Sequence, residues 1–284
     1  MTDETIVAAP PPALPPPARP SMTGGDKVRF ALRGVGQTLI TLGLVVLLFV
    51  VYEVWITNIF AHRAQSKVTS ALEREWADGK DPLLPLPGST DPSIPLGTGI
   101  GVLYIPRLGQ DYHFTIVQGS VVPDDAQLEK GPAHYKDTAL PGQLGNFAVA
   151  GHRVGKGEPF LNIDKLRSGD AVIVETKSYW YVYRVLGEPA GRNPQTVRAP
   201  VTTDGTISLP GREIVDPSAG RVLLPVPDNP GVTPTERLMT MTTCHPKFTA
   251  SHRMIVYSKL QARLPNRDLK MPQSILDLYS EVKA

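Results

Sequence analysis

The chain between residues 238 and 260 reads Leu238-Met239-Thr240-Met241-Thr242-Thr243-Cys244-His245-Pro246-Lys247-Phe248-Thr249-Ala250-Ser251-His252-Arg253-Met254-Ile255-Val256-Tyr257-Ser258-Lys259-Leu260. Two runs rich in apolar and threonine residues, 238–244 and 253–260, flank a short segment with proline and small polar residues, the pattern of a β-hairpin. In an antiparallel hairpin the end of the first strand lies beside the start of the second, so Cys244 and Arg253 become neighbours. Side chains alternate along a strand. Cys244 therefore shares its face with Thr242 and Thr240 and not with His245, and Arg253 and His252 look opposite ways.

Working outward, short strand-like runs recur at 101–105, 114–117, 146–151, 171–176 and 179–186, with turn residues between them. Two helical signals interrupt them, one following Asp124 to Glu129, the other over 158–166 with Pro159 near its start. Strands without regular intervening helices argue against a doubly wound sheet and for a closed or nearly closed β-barrel. Residues 187–237 are too long for a plain loop, and the expectation is a hairpin or a functional wall of their own.

Ahead of this region the chain changes character. Residues 1–25 are proline-rich and lack apolar periodicity, as in a disordered tail. Lys27, Arg29 and Arg33 precede an uncharged run of 19 residues, 34–52, which as a helix spans about 28 Å, close to a bilayer's hydrocarbon thickness. Tyr52, Trp55 and Phe60 follow as interfacial anchors. The basic cluster ahead of the run predicts a cytoplasmic N-terminus and an extracytoplasmic bulk. The resulting division is a tail with basic flank at 1–33, a transmembrane anchor at 34–60, a stalk or linker at 61–98, a catalytic barrel at 99–264 and a C-terminal extension at 265–284. The extension is weakly amphipathic at helical spacing through Ile275, Leu278, Tyr279 and Val282.

Composition narrows the chemistry. The 284 residues are 41% apolar, which excludes a wholly disordered chain, and 29 basic residues nearly cancel 27 acidic ones, which disfavours a nucleic-acid binder held by bulk charge. One cysteine excludes an intrachain disulfide and a multi-cysteine metal cage. That cysteine, Cys244, closes a strand at a loop junction, where functional residues concentrate. A thiol nucleophile needs a base or cation partner, and a donor where negative charge develops on the attacked carbonyl. His152 ends another strand, behind Gly151; Arg253 is the hairpin neighbour. His62, His113 and His134 have no comparable context and read as solvated or structural.

Residues 99–262 resemble the sortases, membrane-anchored cysteine transpeptidases of Gram-positive bacteria. The resemblance rests on Ala150-Gly151-His152-Arg153, Thr240-Met241-Thr242-Thr243-Cys244-His245-Pro246 and Arg253-Met254-Ile255-Val256-Tyr257, and is strongest to class E, the housekeeping type of high-GC actinobacteria. Met241 stands where the family's signature has leucine, a swap of similar volume. The resemblance implies a mainly β fold, an eight-stranded sortase-type barrel with short helices behind one N-terminal transmembrane helix. It implies Cys244, His152 and Arg253 as catalytic residues, Thr243 and Thr242 beside the substrate, and no cofactor or metal. The implied partners are surface proteins with a C-terminal sorting signal (Leu-Ala-x-Thr-Gly or Leu-Pro-x-Thr-Gly) and a lipid II-like cell-wall amine. A pilus-polymerising enzyme using a pilin lysine, and a catalytically dead tethered binding domain, are the alternatives.

Overall fold

The computed structural model describes residues 24–52, 57–84, 93–187 and 198–282. Helix α1, Gly24–Val51, lies, but for its last residue, in a unit separate from the rest of the chain. Its stretch Lys27–Val51 is long and apolar enough to cross a membrane, and none of it is buried within the chain. The helix begins at Gly24, so the basic flank at Lys27, Arg29 and Arg33 is helical and not part of a disordered tail. The expected tail before residue 24 and the anchor residue Trp55 lie outside the described residues.

The second unit is residues 51–284. Its strands are β1 Gly99–Tyr104, β2 His113–Gln118, β3 Ala133–His134, β4 Gly145–Ala150, β5 Ala171–Glu175, β6 Tyr179–Val185, β7 Arg198–Pro200, β8 Ser208–Pro210, β9 Arg212–Val215, β10 Arg237–His245 and β11 His252–Pro265. The helices are α2 Thr57–Ala77, α3 Asp125–Leu128 and α4 Gln273–Glu281. Pairing runs β10-β4-β3-β2-β1-β5-β6-β11, and the β10–β11 hairpin closes it into an eight-stranded barrel. Strand β9 adds to β11 outside this ring, and β7 and β8 form the separate hairpin expected within 187–237.

Strand alternation builds two apolar layers from one hairpin. Met239, Met241, Met254 and Val256 face the barrel interior with Phe147 and Val149 of β4. Leu238, Ile255 and Tyr257 face the other way, under Val201, Leu209, Val215 and Val222 of the 198–226 excursion. Each large side chain so buried contributes roughly 1.5–3 kcal/mol. The excursion is therefore a second layer over β10 and β11, which is why a segment that long stays on the domain.

Two local expectations change. The polar, helix-compatible start of the expected stalk, 64–78, belongs but for its last residue to α2, and this helix is docked on the barrel and does not stand off it: Leu72 and Trp76 are buried against Val102 of β1. The helix expected over 158–166 is only a single 3-10 turn at Ile163–Lys165. Glu158 has φ of 49°, which no helix start tolerates, and the buried Phe160, Ile163 and Leu166 are spaced by three, the period of a 3-10 turn. The C-terminal extension carries α4, whose Ile275 and Leu278 bury against Ala171, Ile173, Trp180 and Val182.

Candidate active site

The hairpin places Cys244 directly opposite Arg253, and His245 opposite His252. On its other side β10 runs parallel to β4, with Thr242 beside Ala150. The pairing continues one residue further, where the Gly151 N–H donates to the Thr242 carbonyl at 3.0 Å. His152 thus leaves β4 at the height of Cys244. Cys244, His152 and Arg253, all half-buried, border one cleft of about 450 Å³.

Thr242, Ala150, Ile255 and Tyr135 complete the cleft's inner surface, and Val215 to Gly220 with Val222 and Leu223 form its wall. That wall is tied down from beneath. Asn146 of β4, fully buried, donates through Nδ2 to the carbonyls of Val222 and Leu224 at 3.1 Å each, and accepts from Thr240 Oγ1 at 2.7 Å.

The two threonines ahead of the cysteine differ. Thr242 shares the face of Cys244, and its hydroxyl pairs with the Tyr135 hydroxyl at 2.8 Å. Thr243 also borders the cleft, but its side chain is on the opposite face and donates to the Gly151 carbonyl at 2.7 Å. Thr243 therefore ties the cysteine strand to the residue preceding His152. Gly151 itself has no room for a side chain: a Cβ there would lie 2.5 Å from the ring of Phe160, which is fully buried.

The other basic residues sort by face. Arg153 is buried and donates to the Cys244 carbonyl at 3.3 Å and to His245 Nδ1 at 3.0 Å, while pairing with Asp164 at 2.9 Å. Burial, with Arg153 adding to it, holds the His245 imidazole below its ordinary range, so the ring is a neutral acceptor. His252 is exposed. Arg253 donates through Nη1 to the carbonyls of Ala250 and His252, at 3.0 and 3.1 Å, which holds its guanidinium at the turn.

Tyr135 carries no signal in the sequence; it follows a two-residue strand that no alternation could reveal. Burial raises its phenol pKa, opposed by the Thr242 hydrogen bond and the nearby Arg253 charge. The phenol is a neutral group at physiological pH, polar and fixed, at the base of the cleft.

A half-buried thiol, an imidazole and a guanidinium around one cleft are the equipment of a cysteine-dependent acyl-transfer enzyme. Residues 103–261 match the Sortase domain family, and the chain belongs to that family, whose members are cysteine transpeptidases. It is 36% identical over 241 residues to sortase SrtE1 of Streptomyces coelicolor, covering 83% of this chain and 58% of that protein. It is 31% identical over 245 residues to SrtE2 of the same organism, covering 81% of this chain and 82% of that one. The chain thus spans little more than half the length of the first relative. The SrtF sortase of Corynebacterium diphtheriae superposes with a TM-score of 0.53 at 36% identity, covering 66% of this chain and 96% of that one. The two SrtE relatives group the chain with the class E sortases.

Proposed function

We propose that this chain is a membrane-anchored transpeptidase that cuts a C-terminal sorting signal between threonine and glycine and passes the new acyl group to a cell-wall precursor amine. The observation that carries the reading is the convergence of Cys244, His152 and Arg253 on one cleft from three different strand ends. The Cys244 thiolate attacks the threonine carbonyl carbon, and a C–S bond forms. The carbonyl oxygen gains negative charge beside the Arg253 guanidinium, whose fork of donors suits an oxyanion. The C–N bond then breaks as His152 gives a proton to the departing glycine nitrogen, leaving a thioester. An incoming amine attacks the thioester, loses its proton to His152 and expels the thiolate, so the enzyme is restored. The acceptor in this reading is a lipid II-like amine and the signal is of the Leu-Ala-x-Thr-Gly or Leu-Pro-x-Thr-Gly kind. Thr242 and Thr243 would flank the bound signal.

The apolar α1 with its basic flank supports an anchor whose N-terminus is cytoplasmic, leaving the barrel outside the membrane. Protease added to intact, wall-stripped cells should then digest the barrel; a protected barrel would refute this orientation.

The enzymatic test is mass spectrometry of the protein with a Leu-Ala-x-Thr-Gly peptide and an amine. A peptidyl adduct on Cys244 should accumulate when amine is withheld and disappear when it is supplied. Cys244→Ala should fold normally, since loss of a small thiol leaves little cavity, and form neither adduct nor product. Turnover at the wild-type rate by that variant would sink the assignment.

A further inference from the structure

The loop that follows His152 is held in an unusual conformation. Gly155, Lys156, Gly157 and Glu158 all have left-handed backbones, with φ of 69°, 52°, 81° and 49°. Two of the four carry side chains that disfavour this region. The loop is short and closed, since the Phe160 N–H donates to the His152 carbonyl at 3.0 Å. A change of conformation at 155–158 must therefore be felt at His152. Such a run persists only when its surroundings over-determine it.

The determinant comes from α2. Asn58, in the first turn of that helix, uses both ends of its amide: Oδ1 accepts from the Gly157 N–H at 3.0 Å, and Nδ2 donates to Glu158 Oε1 at 3.0 Å. One turn later Ala61, buried, sits where a Cβ on Gly157 would touch it at 3.4 Å. Lys156 is paired with Glu129 at 3.1 Å. Further along, α2 is fastened at a different place, where Gln65 accepts from the Thr115 N–H at 2.7 Å and donates to the carbonyls of Thr115, at 3.3 Å, and of Lys130.

We infer that Asn58 is a positioning residue for the reaction: it latches the 155–158 loop in its left-handed form and so sets His152 against the leaving group. This rests on the acid–base role of His152 given above. Asn58 touches no reacting atom. Its effect should therefore appear where His152 is needed, in protonation of a poor leaving group, and not in substrate binding or thiol reactivity.

The experiment compares Asn58→Ala, Glu158→Ala, Gln65→Ala and His152→Ala in the full-length protein. Each is assayed on a Leu-Ala-x-Thr-Gly peptide and on a thioester analogue whose leaving thiolate needs no proton. Asn58→Ala should lower kcat on the peptide by about tenfold with KM nearly unchanged, the scale expected from a small misplacement of a catalytic group. The same variant should retain most of its rate of Cys244 acylation by the thioester, read as adduct formation before amine is added, since His152 serves as base in the later amine step. Glu158→Ala, which removes one of the two latch bonds, should show a smaller fall of the same kind. Gln65→Ala loosens α2 without touching either latch bond and should cost far less than Asn58→Ala on the peptide, with no difference between the two substrates. Equal losses on both substrates, equal losses in Asn58→Ala and Gln65→Ala, or wild-type kcat in Asn58→Ala would each overturn the latch. If Asn58→Ala fails to fold, Glu158→Ala decides by the same ratio of the two substrates. An active His152→Ala would instead remove the role assigned to His152, a separate failure.

Discussion

Cys244 and Arg253 are cross-strand partners, opposite one another at the turn end of the β10–β11 hairpin, one pair in from its last. The residues on either side of that pair face the other way: His245 is bound by Arg153, and Thr243 reaches back to Gly151. Arg253→Ala should lower kcat/KM roughly 10²–10³-fold, as loss of an oxyanion donor does. Arg253→Lys keeps the charge and loses the fork, and should lose at least about tenfold, or roughly 1.4 kcal/mol. His252→Ala should keep most activity. Steady-state rates on a short sorting peptide measure all three. A dead His252→Ala beside an active Arg253→Ala would reverse the assignment of faces.

Gly151 is fixed by lack of space. Gly151→Ala forces a Cβ against the buried Phe160 ring, so either the ring or the β4 end must shift. Overpacking of this kind costs about 1–3 kcal/mol. Denaturant melts should show that loss. Turnover should fall further than stability accounts for, because the displaced residue adjoins His152.

Asn146→Ala removes the tie between the barrel and the cleft wall. It strands the carbonyls of Val222 and Leu224 and the Thr240 hydroxyl. Buried groups left without partners cost about 1–3 kcal/mol each before relaxation. The expected kinetic signature is a raised KM with a smaller change in kcat, since the wall borders substrate and not the reacting bond. Unchanged KM would show that the wall does not bind the peptide.

His134 should make the fold sensitive to acid. It is buried, with its imidazole between the Gln118 side chain and the Ala139 carbonyl, and burial lowers its pKa from 6.5 to about 4. Above pH 6.5 the ring is neutral in both folded and unfolded chains, and stability is complete. Between 6.5 and about 4 the unfolded chain takes up a proton that the folded chain refuses, so stability falls as pH drops, by on the order of 3 kcal/mol. Urea melts across this window should show the slope in the parent and a flatter profile in His134→Gln. Equal slopes would place the acid sensitivity elsewhere.

The hairpin and its register were legible because β10 and β11 obey strict alternation: the methionines of 239 and 241 and the threonines of 240 and 242 separate onto two faces in the sequence itself. The cysteine, histidine and arginine were legible because each ends a strand. Tyr135 and Asn146 were not, since their importance comes from partners 107 and 76 residues away. The docking of α2 was hidden for another reason. Few of its residues are buried, among them Ala61, Leu72 and Trp76, too sparse to register as a stripe in a polar helix. The helix expected over 158–166 rests on Pro159 near its start; the left-handed backbone at 156 and 158 that rules it out cannot be read from Lys and Glu.

Strand β11 is wedged along its catalytic half. Residues 253–256 are paired with β10 on one edge and with Arg212–Val215 of β9 on the other, before β6 takes over that second edge from residue 258. Arg253 consequently has a laddered backbone on both sides. A peptide arriving at the cleft cannot extend the sheet next to it, as ligands do in proteins that read extended chains by strand addition. Whatever sequence this cleft accepts has to be discriminated by the shapes and charges of side chains, and a polyglycine backbone alone should find no grip beside Arg253.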